Sequence, residues 1–83
     1  MPERIKESIV VAAIFGRRPK VKPVWFVWQN QQHRIARITY TWMDKEGQAK
    51  LYHFAVSDGA NLYELCYDSE QLTWRLVAQE IEG

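Results

Sequence analysis

The stretch that most restricts the fold is residues 24–35, VWFVWQNQQHRI. Val24, Trp25, Phe26, Val27 and Trp28 are all β-branched or aromatic, the side chains that pack best on a pleated surface. Amide side chains from Gln29 to Gln32 then break the apolar run. Asn tolerates positive φ, which a two-residue type I′ turn demands, so the sequence predicts a hairpin centred on Asn30-Gln31. In that register Trp28 opposes His33, Phe26 opposes Ile35 and Trp25 opposes Ala36. Strand side chains alternate, so Phe26, Trp28, His33 and Ile35 share one face while Trp25 and Val27 take the other.

The rest of the chain reads in the same way. Residues 1–6 are expected to fray. Residues 7–15 contain IVVAAIF and predict a buried strand; the spacing of Ile5, Ile9 and Ala12/Ala13 also suits a helix, but the density of Val, Ile and Phe favours the strand. Residues 16–23, GRRPKVKP, predict a basic loop in which Pro19 and Pro23 block ladder pairing. A strand over 32–43 changes parity near Ala36-Arg37, which calls for a bulge or bend. Lys45-Glu46-Gly47 suits a three-residue loop that pairs Trp42 with Lys50, Tyr40 with Tyr52 and Ile38 with Phe54. Strand 49–57 follows. The turn Asp58-Gly59-Ala60-Asn61 then sets Val56 opposite Tyr63, Phe54 opposite Leu65 and Tyr52 opposite Tyr67 in strand 62–68. Ser69-Glu70 leads into a last strand ending near Ile81, with Leu65 facing Trp74 and Tyr63 facing Leu76. Rings and aliphatics match across each hairpin. The expectation is one all-β domain over 1–83, an antiparallel meander of five to six strands curled into a small barrel or a strongly twisted sheet.

Composition narrows the function classes. A single Cys66 excludes an internal disulfide and a cysteine-rich zinc site, and fits a reducing cytoplasm. Net charge is +1, so no overall field favours nucleic acid. Residues 1–50 hold ten Lys/Arg and four Asp/Glu, whereas 51–83 hold one and six. Such asymmetry can mate molecules head to tail, although a meander would interleave the halves and blur it. The seven-residue run IVVAAIF is too short to span a bilayer and is followed by GRRPK rather than a cleavage site. No phosphate-binding glycine loop, nucleophile elbow or HExxH string occurs.

Pro23, Phe26 and Trp28 form a P-x-x-F-x-W string, followed after the turn by His33, Arg34 and Ile35. Trp42, the segment Tyr63-Glu64-Leu65 and Trp74 continue the pattern. It resembles a family of short, uncharacterised bacterial domains over most of the chain after the loop. Members often carry Gly-Arg where this chain has Asn30-Gln31, and Tyr where it has His33. The resemblance implies a bacterial origin and a β fold, with no activity to carry over; some similar domains accompany bacterial DNA-repair polymerase genes.

Three groups of residues bear on function. Trp25 and Val27 share the second sheet face with Leu51, Leu62 and Val77, an apolar surface that a second copy or another protein would cover. Open strand edges offer a further route by strand addition. Arg17, Arg18, Lys20 and Lys22, with Arg34 and Arg37 on strands nearby, offer a basic groove of the kind that holds nucleic acid beside stacking aromatics. His53 and Cys66 face each other, a pair that can activate a thiol, but no orienting third group accompanies them and ordinary packing is the simpler account. The two histidines lie too far apart for a zinc set. The sequence therefore predicts a cytoplasmic binding module with no catalysis, cofactor or metal of its own and no membrane segment. Its partner is a homo-oligomer mate or another protein, with nucleic acid as the alternative.

Overall fold

The computed structural model describes residues 3–17 and 20–81. The described residues are all-β and form eight strands: β1 Glu3–Ser8, β2 Val10–Phe15, β3 Val21–Trp28, β4 Gln31–Arg34, β5 Arg37–Glu46, β6 Ala49–Ser57, β7 Asn61–Asp68 and β8 Thr73–Ile81. They form a five-stranded sheet in the order β1-β8-β7-β6-β5 and a three-stranded sheet in the order β2-β3-β4. All pairings are antiparallel. No described segment forms a helix long and apolar enough to cross a membrane.

Two long segments bend from one sheet into the other. The first runs through Ile9, whose amide donates to the Trp74 carbonyl at 3.2 Å. The second turns at Ile35-Ala36, where consecutive amides serve different sheets: Ile35 donates to Val24 of β3 at 3.0 Å and Ala36 to Ser57 of β6 at 2.8 Å. The bend read in the sequence near Ala36 is thus this corner, and a bulge follows it at Thr39 in β5. Pairing breaks at each corner, so the two ladders remain separate sheets and the barrel anticipated as one of two shapes does not close.

The sheets pack face to face through a ring-rich core. Phe26 and Leu65 are fully buried, with Val56, Tyr63 and Leu76 beside them. Phe26 meets Tyr63 edge to face at 5.1 Å between centroids, and Phe54 and Tyr67 flank Trp74 at 5.7 and 4.9 Å. Such ring pairs add to the transfer free energy of the area they cover.

Hairpin registers divide according to the turn. Asp58 Oδ1 accepts the amides of Ala60 and Asn61 at 2.9 and 2.8 Å, and Val56, Phe54 and Tyr52 oppose Tyr63, Leu65 and Tyr67 as the sequence predicts. After β7 the turn is longer than expected and ends on Leu72 at φ 58, so Leu65 meets Leu76 and Tyr67 meets Trp74. The shift is even next to the turn and keeps Leu65, Trp74 and Leu76 inside; beyond an extra residue at Val77 it becomes odd, and Tyr63 opposes Gln79 rather than Leu76. In the first hairpin the positive-φ residues are Gln29 and Asn30, one position earlier than predicted; Phe26 opposes His33 and the face assignment again survives. Gly47, at φ 60, occupies the first position of a two-residue turn, and Thr39 is an extra residue in β5. Trp42 therefore opposes His53, and with Tyr40 it points outward rather than into the core.

The amino-terminal expectations change most. Glu3 to Lys6 belong to β1 rather than fraying, with Glu3 and Arg4 paired to Gln79 and Ala78 of β8 and a register break before Glu7; Met1 and Pro2 lie outside the described residues. The run 9–15 is not a buried strand throughout: Val10, Ile14 and Phe15 are 65%, 58% and 58% exposed. The loop is shorter than 16–23, because Pro23 sits buried within β3 opposite Ala13. Pairing of β4 reaches only Trp25 to Trp28, so Pro23, which has no N–H, leaves no ladder bond unmade on that side.

Candidate interaction surface

The outer face of the three-stranded sheet follows from alternation along β2 and β3. Val10 pairs with Val27, Ala12 with Trp25 and Ile14 with Lys22. Val24 is the extra residue where the register shifts, which lets Pro23 and Phe26 both face inward. Trp25 and Val27 thus lie outward and half-buried, beside the open Val10 and Ile14. Arg34 and Gln32 of β4 join the same face opposite Trp25 and Val27. β2 is an edge strand, and none of its six residues, VVAAIF, carries a charge.

Where β4 leaves the sheet at the corner, a notch opens. It has a volume of about 420 Å³, with Ile14, Val24, Ile35 and Ile38 supplying apolar wall and Lys22, Arg34 and Arg37 supplying cations. Three members of the basic set read from the sequence therefore converge there. The others do not. Lys20 lines a separate groove against Val21, Thr41 and Met43, Arg17 is exposed in the loop, and Arg18 lies outside the described residues. Lys22 and Arg34 form no ion pair with a described residue, whereas Arg37 is already engaged.

Folding does not blur the charge asymmetry; it sorts it by sheet. Residues 9–36, which make the three-stranded sheet and its turns, contain five Lys/Arg and no Asp/Glu. All ten acidic residues lie elsewhere.

The apolar set anticipated as one interface divides between opposite outer faces. Trp25 and Val27 belong to the three-stranded sheet; Leu51, Leu62 and Val77 belong to the outer side of the five-stranded one. Leu51 is only 7% exposed and Cys66 only 2%. They share a shallow concavity with Lys6, Glu46 and Arg75, whose long stems cover apolar surface while their charges stay in water. Val10 and Ile14 were not anticipated as surface residues. A uniformly apolar run hides its own alternation, and only edge position decides which half is exposed.

His53 and Cys66 do oppose each other, as the sequence predicts. His53 stacks on Trp42 at 5.0 Å and an interplanar angle of 4°, with its Nε2 3.4 Å from Asp44 Oδ2 and 3.9 Å from Cys66 Sγ. Its Nδ1 lies 3.5 Å from Glu64 Oε2. Burial pushes the Cys66 thiol above its ordinary range, and the nearby Arg75 offsets this only in part. A thiol held protonated is a poor nucleophile. Among the described residues no group of three His, Cys, Asp or Glu is placed to hold a metal ion.

His33 closes the other end of the molecule. Its ring stacks on Phe26 at 4.9 Å, and Nδ1 lies 3.1 Å from Asp58 Oδ2 in the β6–β7 turn. Because a carboxylate only accepts, Nδ1 carries the proton in this contact. Partial burial pushes the Asp58 carboxyl upward, but the amides of Asn61 and Ala60, then His33 and Tyr63, outweigh it and hold the group below the ordinary aspartate value.

No family model, curated protein or solved structure matches this chain.

Proposed function

We propose that the protein is a binding module without catalysis of its own, and that it contacts another protein through the outer face of the three-stranded sheet. The supporting observation is the pair of aliphatics Val10 and Ile14, more than half exposed beside Trp25 and Val27 on an uncharged edge strand. Apolar side chains exposed together on one face mark contact surfaces. Two-fold pairing of this face with itself would bring like charges together, so a different protein suits it better than a second copy.

Photo-cross-linking in cells of the source organism tests the reading. With p-benzoylphenylalanine in place of Val10 or Ile14, a discrete protein adduct is the expected result, and the same group in place of Glu46 on the opposite face gives none. Adducts at both faces, or at neither, would refute it. Nucleic acid is the second reading, because Lys22, Arg34 and Arg37 converge on one notch. Unchanged mobility of labelled oligonucleotides at low salt removes it.

A further inference from the structure

We infer that the corner notch is a binding site for an extended acidic peptide segment that carries one large aliphatic side chain. The inference rests on the proposal that the outer face of the three-stranded sheet contacts another protein.

Shape gives the first argument. At about 420 Å³ the notch matches the lower range of small-ligand sites, roughly 300–1,000 Å³, and its apolar wall is built by Ile14, Val24, Ile35 and Ile38. An aliphatic side chain entering it leaves water for a surface of its own kind. No aromatic ring lines the notch. Base stacking, the sequence-tolerant source of single-strand affinity, therefore has no platform there.

Charge gives the second. Lys22 and Arg34 stand at the notch without a carboxylate partner among the described residues, and residues 9–36 supply no acid to neutralise them. Arg in particular offers a planar fork that fits a carboxylate through two parallel hydrogen bonds. Acidic residues flanking an apolar anchor satisfy both features together. A second copy docked through the same face would meet cations with cations.

The test is fluorescence anisotropy of the full chain at low ionic strength with a labelled peptide reading Glu-Glu-Leu-Glu-Glu between Gly-Ser flanks. The expected result is saturable binding that weakens by at least about tenfold when Glu becomes Gln, when Leu becomes Ser, or in the Lys22→Glu/Arg34→Glu protein. The two altered peptides need no protein variant, so the test does not depend on how the double variant folds. Absence of binding, equal binding of the Gln peptide, or tighter binding of oligo-dT would overturn the inference, the last assigning the notch to nucleic acid. Self-association lost in the Lys22→Glu/Arg34→Glu protein would overturn it in favour of a second copy. Cross-links at position 10 without peptide binding would leave the face as a contact surface and remove only its acidic occupant.

Discussion

The two outer faces of this small protein treat apolar residues in opposite ways. On the five-stranded sheet, Leu51 and Cys66 point away from the core yet are buried, because Lys6, Glu46 and Arg75 surround them. On the three-stranded sheet, Val10 pairs with Val27 and Ile14 with Lys22, which is itself exposed, and both aliphatics stay open. The difference follows from strand number and composition. A five-stranded face brings long charged side chains in from several strands, whereas β2 offers VVAAIF with neighbours on one side only. One face is finished by its own residues and the other is left for a partner.

The largest test of this contrast removes what holds the sheets together. Phe26 is fully buried between them, so Phe26→Ala should cost about 3–5 kcal/mol in urea denaturation and detach the three-stranded sheet first. Hydrogen exchange checks the order: β3 amides should lose protection before those of β7. A direct comparison of the two outer faces comes next. Leu51→Ala should destabilise by about 2–3 kcal/mol, a core-like loss, because the residue is 7% exposed. Ile14→Thr, which keeps the β-branch, should stay within about 0.5 kcal/mol. Equal costs would erase the distinction.

The smallest effect concerns the contact from His33 to the β6–β7 turn. Asp58→Asn should cost about 1 kcal/mol at pH 7 by removing charge-assisted acceptance of the amide and imidazole hydrogens. Asp58 is held below its unfolded value, so its contribution is fully present above about pH 4 and is lost as pH falls through the folded value. The difference between wild type and Asp58→Asn should therefore shrink on acidification below about pH 4 in denaturation at stepped pH.

How much of this was legible in the sequence depended on turn chemistry. Asp58-Gly59 specifies its turn so strongly that β6 and β7 pair as read, residue for residue. Gly47 was ambiguous. As the last residue of a three-residue loop it gives one register, as the first of a two-residue turn another, and the extra Thr39 takes back one residue of the difference, so that Ile38 faces inward again. The result moved Tyr40 and Trp42 from inside to outside. In the first hairpin the turn slipped by one position, but an even change in pairing left Phe26 and His33 on the same side. The candidate site was half visible. Its cations stood out as a group, but which of them meet depends on the chain turning at Ile35-Ala36, and local composition does not encode where two distant segments converge. The exposure of Ile14 was hidden because nothing in a continuous apolar run marks which strand will lie at an edge.

The junction at Ile35 and Ala36 carries one more consequence. Since neighbouring peptide groups there are tied to separate layers, the main chain beside the hollow is held from both sheets, independently of the exposed side chains Lys22, Arg34 and Ile14 at its wall. Replacing Lys22, Arg34 or Ile14 alters what the hollow attracts without asking the molecule to refold. A scaffold of this kind can acquire new recognition by single substitutions.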